Sequence, residues 1–393
     1  MSKILFTYPS PFNPRYGGIE TVTDALTREL QRRGHAVYYL HHRNPEFYEG
    51  FTPPAEVYYC PDSDYTKQED REFYAGLLNR LEIDVVVNQT GNFGDSVLYN
   101  SCYPNIPVIS VLHSNPLLNY DRLSSEILSL RNDSLVERCK FIVRCFLFPK
   151  IKSDYWKSRV EHLNWICANF SAVVLLSEGY RRALVRCGLS PEDLSVVSSI
   201  PNPCTYSRKR FSEKKKQLLF VGRLEMGEKR PDRLLKIWEM LYRDFPDWEL
   251  IIVGDGKMKE TLVKQSKKLP RVSFVGRQNP ESYYEQASIF CMTSNFEGFP
   301  MVLPEAMAFG AIPVAFDSFA AVHDIISDGE SGCMVKPFDL SEYAGVLRRL
   351  MSNDEVRRCM IPEVQRVADS FSINSIADRW EELLYKVKGG RNG

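Results

Sequence analysis

Short apolar runs alternate along the chain with segments in which apolar residues recur at helical spacing. The runs are ILFTY, AVYYLHH, DVVVNQ, PVISVLH and AVVLLS in the first half, and LLFVGR, ELIIVGDG, VSFVG, SIFCMTS and IPVAF in the second. Strands that alternate with helices form βαβ units, which build a mostly parallel sheet with helices on both faces. The alternation therefore predicts an α/β protein with doubly wound sheets.

The alternation restarts after residues 201–217, a stretch that contains prolines, is strongly basic and has no apolar repeat. We interpret this stretch as a linker between two Rossmann-like domains, residues 1–205 and residues 206–370. A chain of 393 residues suits two or three domains of ordinary size. Residues 371–393 carry apolar side chains at helical spacing behind a serine that could cap a helix. We expect this helix to pack back on the N-terminal domain.

Composition disfavours several classes of protein. The 50 Lys and Arg residues balance the 50 Asp and Glu residues, whereas a general nucleic-acid binder carries a net basic surface. None of the ten cysteines forms a C-x-x-C pair, which disfavours a zinc site or a disulfide framework and indicates a reducing compartment. The first apolar run is too short for a signal peptide, and no run reaches the ~18 apolar residues of a membrane span. We expect a cytoplasmic protein, attached at most to a membrane surface.

The most informative stretch for function is residues 295–316. Glu297 precedes a turn at Gly298 and Phe299, and the pattern then predicts a helix that begins near Pro300. Proline suits the first turn of a helix, because the amide hydrogen that it lacks would have no partner there.

The start of this helix would present two backbone amides, those of Met301 and Val302, to an anion. Glu305 lies on the second turn, eight residues after Glu297. Two carboxylates would then flank a phosphate-sized site, and carboxylates bind hydroxyl groups through charge-assisted hydrogen bonds. The alternative interpretation is a surface loop with two solvated glutamates.

Two cations follow the strand LLFV. Arg223 comes directly after the strand end, and Lys229 precedes a helix that we expect to begin at Pro231. Ligands of open α/β sheets bind beyond the carboxyl ends of the strands, so the two cations could neutralise a diphosphate. A solvated loop that merely carries Lys and Arg is the alternative.

Other strand ends carry weaker signals. Gly17 and Gly18 lie between the first strand and the first helix, where glycine allows a ligand to approach the backbone. The turn VGDG, residues 253–256, follows another strand, and His113 ends the strand PVISVL. The glycines do not form G-x-G-x-x-G, and no acidic residue follows the second strand as a nicotinamide site requires, which disfavours a dehydrogenase.

Taken together, these motifs resemble the retaining glycosyltransferases of family 4, which have the GT-B fold. The resemblance covers nearly the whole chain, through GGIETVTDALTRELQRRGHAV, LSEGYRRAL, IPNP, VGRL, EK, VGDG and EGFPMVLPEAM in this order. The last motif is the E-x7-E signature of the family. The resemblance implies two Rossmann-like domains with parallel sheets that face a cleft. The C-terminal domain would bind a nucleotide-sugar and the N-terminal domain the acceptor.

The resemblance also implies roles for individual residues. Glu305 would hold the ribose hydroxyls of the donor, and Arg223 and Lys229 its diphosphate. Glu297 would hold hydroxyls of the donor sugar, and His113 would lie beside that sugar. The implied donor-binding set is Gly17, Gly18, Arg223, Lys229, Gly298, Phe299, Met301, Val302 and Glu305, and the implied catalytic set is His113 and Glu297. No metal ligand is implied.

The sequence departs from the family pattern at two positions. Arg230 follows Lys229 where the family usually has glycine, and Pro300 stands where many members have glycine. The first departure adds charge to the loop or alters its path, and the second removes one amide donor.

The implied reaction is transfer of a sugar to a hydroxyl of a glycan or lipid-linked oligosaccharide, with retention at the anomeric carbon. The transferred group would be a hexose or an N-acetylhexosamine, and the product a capsule, O-antigen or lipopolysaccharide. The family favours UDP as the nucleotide, with no further cofactor. No second carboxylate is placed as a nucleophile, so we favour front-face attack over a double displacement.

Residues 138–160 hold seven Lys or Arg, one Asp and five aromatic residues. Basic residues interleaved with aromatics suit an anionic membrane surface, which would fit a lipid-linked acceptor. The alternative is a helix that covers the first sheet. Two other functions stay open: a catalytically silent nucleotide-sugar-binding subunit, and a sugar-nucleotide epimerase with the same two-domain fold.

Overall fold

A computed structural model describes residues 1–15, 17–42, 50–62, 64, 67–91, 93–102, 104–129, 135–208 and 213–389, without the side chains of residues 93–95, 124–129 and 135–141. Parts of three segments considered above therefore lie outside the described residues. They are residues 209–212 of the linker, the side chains of residues 138–141, and residues 390–393.

The chain forms two compact units. The first unit comprises Met1–Leu176, Tyr180–Ile200 and Trp380–Gly393, and the second comprises Ser177–Gly179 and Pro201–Arg379. Among the described residues, no helix is both long enough and apolar enough to span a bilayer.

The first unit contains a seven-stranded sheet in the order β3-β2-β1-β4-β5-β6-β7. Its strands are β1 (Lys3–Thr7), β2 (Ala36–His41), β3 (Glu56–Tyr59), β4 (Val85–Asn88), β5 (Val108–Leu112), β6 (Ala172–Leu175) and β7 (Val197–Ser199). Its helices include α1 (Gly18–Arg32), α2 (Gln68–Leu81), α3 (Phe93–Tyr99), α4 (Leu118–Ser129), α5 (Leu135–Asn169) and α6 (Arg181–Arg186). Every residue of β4, β5 and β6 is buried, as expected for strands of a parallel sheet covered on both faces.

The second unit contains a six-stranded sheet in the order β10-β9-β8-β11-β12-β13. Its strands are β8 (Lys215–Val221), β9 (Glu249–Val253), β10 (Val272–Gly276), β11 (Ala287–Met292), β12 (Ile312–Phe316) and β13 (Cys333–Val335). Its helices are α7 (Pro231–Glu239), α8 (Lys259–Ser266), α9 (Glu281–Gln286), α10 (Val302–Ala308), α11 (Val322–Ile325), α12 (Leu340–Ser352) and α13 (Asp354–Asp369), followed by α14 (Ile373–Gly389), which begins here and ends in the first unit.

All strand pairs in both sheets are parallel. The prediction of an α/β protein built from two parallel sheets is therefore confirmed. In register, Leu219 of β8 lies beside Ile251 of β9 and Phe290 of β11, and all three side chains are buried in the core of the second unit.

The helix predicted to begin near Pro300 begins two residues later, at Val302. The carbonyl of Pro300 accepts the amide of Leu303 at 3.0 Å, so a single turn precedes the helix. Pro304 then occupies the first turn of α10, where its missing amide hydrogen has no intrahelical partner to lose.

The end of α14 is tied to the first unit by charged side chains. Arg33 and His35 contact the carboxylate of Glu381 at 2.7 and 2.9 Å. Arg33 also contacts Glu29 on α1 at 2.7 Å. Hydrogen bonds from His35 and Arg33 outweigh burial and hold the pKa of Glu381 below its ordinary value, so this carboxylate is charged at neutral pH.

Candidate active site

The two stretches that carry the charged motifs follow neighbouring strands of the second unit. Residues 222–230 follow β8, and residues 293–301 follow β11. In the sheet, β8 lies between β9 and β11. The chain runs from β8 to β9 and β10 on one side, and then crosses to β11 on the other side of β8. Open α/β sheets bind ligands beyond the carboxyl ends of the strands at such a switch point.

The glycine turn after β9 fixes the path of the loop after β8. Gly254 and Gly256 have φ angles of 147° and 153°, a backbone conformation that residues with a Cβ rarely adopt. A Cβ on Gly254 would lie 1.9 Å from the carbonyl oxygen of Gly222, and one on Gly256 would lie 2.6 Å from that of Leu224. The backbone of the VGDG turn therefore packs directly against the backbone of the loop that carries Arg223, and it fixes the position of that loop.

Hydrogen bonds join the end of the same loop to the residues that follow β11. The backbone amide of Asn295 donates to the carbonyl of Glu228 at 2.7 Å, and its side-chain amide donates to the carbonyl of Gly227 at 2.7 Å. The hydroxyl of Thr293 donates to the carbonyl of Arg230 at 2.9 Å. These bonds place the side chain of Lys229, which lies between the bonded positions, next to Glu297.

An ion cluster runs from the interior of the second unit to its surface. The Lys229 ammonium lies 2.8 and 2.6 Å from the two carboxylate oxygens of Glu297 and 2.9 Å from Oε1 of Glu228. Oε2 of Glu228 in turn lies 3.0 Å from Nη2 of Arg223. Ser294 donates its hydroxyl to Glu297 at 2.6 Å. The Glu297 side chain is 4% exposed and that of Arg223 66%.

Burial and pairing act in opposite directions on the two innermost charges. Burial raises the pKa of Glu297, although the contact with Lys229 opposes it. Burial would lower the pKa of Lys229, but attraction by Glu297 and Glu228 outweighs burial and leaves that pKa above its ordinary value. Lys229 is therefore a permanent cation at neutral pH, and it is held by two carboxylates.

Arg230 explains one departure from the family pattern. Its φ angle is 48°, in the left-handed region that glycine adopts without strain. Its guanidinium forms two bonds to the carboxylate of Asp232, at 2.9 and 3.0 Å. The loop therefore keeps the conformation that glycine would allow, and a local ion pair holds the arginine side chain.

Glu305 lies on α10 beside a group of aromatic rings. The hydroxyl of Tyr284 donates to Glu305 at 2.9 Å. Burial raises the pKa of Glu305, and the bond from Tyr284 partly offsets this effect. The ring of Tyr206 packs 5.3 Å from that of Phe309 and 6.1 Å from that of Tyr284. A half-buried carboxylate with an aromatic wall can bind the hydroxyls of a flat, ring-containing ligand.

The turn between Glu297 and α10 is partly structural. Phe299 is buried, and its ring centroid lies 5.4 Å from that of Phe371, so only its backbone is positioned to meet a ligand. Gly298, Met301 and Val302 are half-buried. Because α10 has seven residues, its dipole can add only modestly to the charge of the two cations.

His113 lies at the corresponding sheet edge of the first unit. It follows β5, and its Nε2 lies 2.6 Å from Oε1 of Gln89, which follows the neighbouring strand β4. Since the Gln89 oxygen accepts, Nε2 carries the hydrogen. The buried Nδ1 of His113 has no hydrogen-bond partner among the described residues. Burial lowers the pKa of His113 to about 4, so the ring is neutral at pH 7.

Gly17 and Gly18 open α1, as the sequence predicts. Gly17 has an extended backbone, and a Cβ there would lie 2.4 Å from a carboxylate oxygen of Glu20. A Cβ on Gly18 would meet nothing within 4 Å. A carboxylate therefore lies against Gly17 at the place where the resemblance implies a donor phosphate. Among the described residues, no cluster of three or more His, Cys, Asp or Glu side chains could hold a metal ion.

The structure thus brings together Arg223, Lys229 and Glu297, with Glu305 on the following helix. Sequence reasoning missed the residues that complete this arrangement: Glu228, Ser294, Tyr284 and Tyr206. Glu228 precedes Lys229 in the EK pair, but a sequence does not show which way two adjacent side chains turn. No sequence signal indicates Tyr284, which lies 21 positions before Glu305.

Two family models match consecutive parts of the chain. The model of Glycosyltransferase Family 4 matches residues 16–200, and that of Glycosyl transferases group 1 matches residues 205–367. The chain therefore belongs to the glycosyltransferases that combine these two domains, and its two α/β units give it the GT-B fold.

Two curated bacterial relatives illustrate the family. The chain is 31% identical over 221 residues to the lipopolysaccharide 1,6-galactosyltransferase of Salmonella typhimurium, which covers 53% of this chain and 59% of the relative. It is 29% identical over 199 residues to the GalNAc-alpha-(1->4)-GalNAc-alpha-(1->3)-diNAcBac-PP-undecaprenol alpha-1,4-N-acetyl-D-galactosaminyltransferase of Campylobacter jejuni, covering 49% of this chain and 55% of the relative. The matches therefore span little more than half the length of these relatives.

A solved structure with the same fold is that of Anabaena HepE in complex with UDP and glucose. It aligns over 98% of this chain and 100% of HepE with a TM-score of 0.70, at 18% sequence identity. At this identity the likeness shows the fold alone.

Proposed function

We propose that this protein is a retaining glycosyltransferase. It transfers a hexose or N-acetylhexosamine from a UDP-sugar to a hydroxyl of a glycan or lipid-linked oligosaccharide during synthesis of a bacterial surface polysaccharide. The observation that carries this proposal is the cluster of Arg223, Lys229 and Glu297 at the switch point of the second sheet. The names of the two curated relatives support a saccharide acceptor, and the ligands of HepE support a UDP-sugar donor.

Different charged residues bind different parts of the nucleotide-sugar donor. Lys229 and Arg223 bind the diphosphate, and the amides near Met301 add to them. Glu305, beside its aromatic wall, binds the ribose hydroxyls. Departure of the nucleotide diphosphate sets the barrier of the reaction, and fixed cations stabilise the charge that develops on it. The proposal therefore includes no metal.

The chemical step that we propose is a front-face displacement. The bond between the anomeric carbon and the donor phosphate breaks, and the acceptor oxygen forms a bond to that carbon from the same side. The proton of the acceptor hydroxyl passes to an oxygen of the leaving phosphate. Glu297 orients the sugar through its hydroxyls. The resemblance also assigns His113 to the sugar, and its neutral ring suits a hydrogen-bonding role rather than proton transfer.

A thermal-shift titration against UDP, GDP, ADP, CMP and dTDP, with and without EDTA, tests the donor. We expect UDP to raise the unfolding temperature regardless of EDTA, because a ligand at a hundredfold excess over its Kd stabilises by about 2.7 kcal/mol. The Glu305→Ala and Lys229→Ala variants should lose this rise, whereas Lys259→Ala, an exposed lysine paired with Asp255, should keep it.

Other outcomes of these experiments would contradict separate parts of the proposal. If none of the nucleotides or their sugar conjugates shifts the transition, the donor site is wrong. An effect of UDP that EDTA abolishes would reject the metal-free proposal. If UDP binds but no UDP-sugar yields a product with any glycan, the silent-subunit interpretation replaces the enzyme. Where a product forms, the anomeric coupling in its NMR spectrum decides between retention and inversion.

We also propose that the first unit binds an anionic membrane surface through α5. The second half of this helix is packed in the unit, since Leu163 and Ile166 are fully buried. Residues 142–147 are exposed instead, with exposed fractions of 66% for Ile142 and 84% for Phe146. These apolar side chains lie one turn apart among exposed cations, as a membrane-surface helix requires. The helix therefore covers the sheet with one half and offers the other half to lipid.

Binding to lipid vesicles measures this contact. The wild-type protein should co-sediment with vesicles that contain anionic lipid, more weakly at high salt. An Ile142→Glu/Phe146→Glu double variant should bind about tenfold more weakly, because it loses buried apolar area and gains negative charge. Val185→Glu, at an exposed apolar position on α6, is the matched control. Equal binding of all three proteins, or none by the wild type, would contradict the proposal.

A further inference from the structure

Glu228 bridges the two cations assigned to the donor diphosphate. One carboxylate oxygen lies 2.9 Å from the Lys229 ammonium, and the other lies 3.0 Å from Nη2 of Arg223. The backbone of Glu228 is fixed by the bond from Asn295, so the side chain reaches both cations from a rigid position. A single carboxylate thus takes hydrogen-bond donors on both cations at once.

The cluster has no surplus of positive charge in this state. Lys229 and Arg223 face three carboxylates, since Glu297 contacts Lys229 and Glu225 lies 3.4 Å from Arg223. A phosphate that approaches two free cations gains directly from their charge. Here it must first separate at least one carboxylate from them.

Of the two carboxylates that contact Lys229, Glu228 is the one that can leave at the lower cost. Its side chain is 25% exposed, against 4% for Glu297. Glu297 is also held through both oxygens by Lys229 and through one of them by Ser294. Moving Glu297 away from its cation would leave a buried charge unpaired, which is strongly unfavourable. Moving Glu228 returns to water a carboxylate that is already partly exposed.

We propose that Glu228 is a displaceable internal anion that occupies the diphosphate position on Lys229 and Arg223 until the donor binds. This inference rests on the proposed donor site. Because one carboxylate contacts both cations, a phosphate that binds to either of them meets Glu228, and a diphosphate that takes both cations must displace it completely. Glu228 therefore weakens the binding of ligands that carry phosphate and leaves the binding of a nucleoside unchanged.

The expected effect follows from the competition. A site whose competent state is populated for only a fraction of the time binds its ligand more weakly by that fraction. Glu228→Gln keeps the size of the side chain and removes its charge. We expect this variant to bind UDP about tenfold more tightly, and UMP more tightly by that factor or a smaller one. Binding of uridine should not change.

Isothermal titration calorimetry of the whole protein measures the Kd of UDP, UMP and uridine for the wild type and for each variant. Glu225→Gln is the matched control, because it removes a carboxylate from Arg223 without touching Lys229, and its affinities should stay within twofold of the wild type. Glu228→Ala serves as a second variant, and unfolding temperatures check that both Glu228 variants fold. The inference would be overturned if both Glu228 variants bound UDP no more tightly than the wild type. It would also be overturned if Glu225→Gln gained as much affinity for UDP as Glu228→Gln. If the wild type binds UDP no better than uridine, the proposed donor site itself fails.

Discussion

Replacing Lys229 by methionine should reduce kcat/KM for the sugar donor by at least about a thousandfold. Loss of one neutral donor to a developing oxyanion costs 10²- to 10³-fold in other enzymes, and a buried cation contributes more. Lys229 is also the cation that holds the buried carboxylate of Glu297. The variant therefore removes the cation that we propose to face the leaving phosphate, and it leaves Glu297 to take up a proton. Initial-rate kinetics with a radiolabelled UDP-sugar measure the loss.

Two further variants separate catalysis from stability. Lys229→Arg keeps the charge and the partner of Glu297, so it should fold normally and retain part of the activity. Lys259→Met removes an exposed lysine that pairs with Asp255 beyond the carboxyl end of β9, and its kcat/KM should stay within twofold of wild type. A folded Lys229→Met protein within tenfold of wild-type activity would remove Lys229 from the mechanism.

Gly254→Ala should destabilise the second unit by about 3 kcal/mol or more and abolish binding of UDP. The new methyl group would lie 1.9 Å from the carbonyl oxygen of Gly222, a backbone atom that cannot move without the loop that carries Arg223. The φ angle of 147° adds strain for any residue other than glycine. A substitution that combines steric overlap with backbone strain lowers the free energy of unfolding more than most single substitutions do.

Urea denaturation followed by tryptophan fluorescence, together with UDP binding, checks this result. Gly227→Ala is the control in the neighbouring loop, because a Cβ at Gly227 would meet nothing within 4 Å and its backbone is not in the left-handed region. Its unfolding midpoint should match that of the wild type. If Gly254→Ala unfolds at the same urea concentration as the control, the close approach of the two loops is wrong.

The sequence predicts the features that depend on pattern and chain order. Mainly apolar runs such as VVVN in β4 and VISVL in β5 are typical of strands buried on both faces. Their alternation with helices gives the two parallel sheets. Arg223 and Lys229 lie in the loop after the strand β8, so both are placed at the edge where the carboxyl ends of the parallel strands meet, and open α/β sheets bind ligands at this edge.

Features that depend on side-chain direction and long-range packing could not be predicted. Gln89 contacts His113 over 24 positions, through strands whose adjacency the sequence does not reveal. The bridge from Glu228 to both cations depends on the bonds of Asn295, 67 positions later. In α5, apolar and basic residues are mixed, so the periodicity does not show which half packs on the sheet. The start of α10 shifted because one turn at Pro300 precedes it.

The ion pair of Arg230 and Asp232 constrains how this loop could have changed over time. An arginine in the left-handed region costs about 1 to 2 kcal/mol relative to glycine, and the bidentate contact with Asp232 offsets part of that cost. An aspartate acquired first would be a buried carboxylate without its bidentate partner, because the Asp232 side chain is only 6% exposed. An arginine acquired first would bear the strain alone. Each of the two residues is therefore tolerated better in the presence of the other, so their effects on stability are expected to be epistatic.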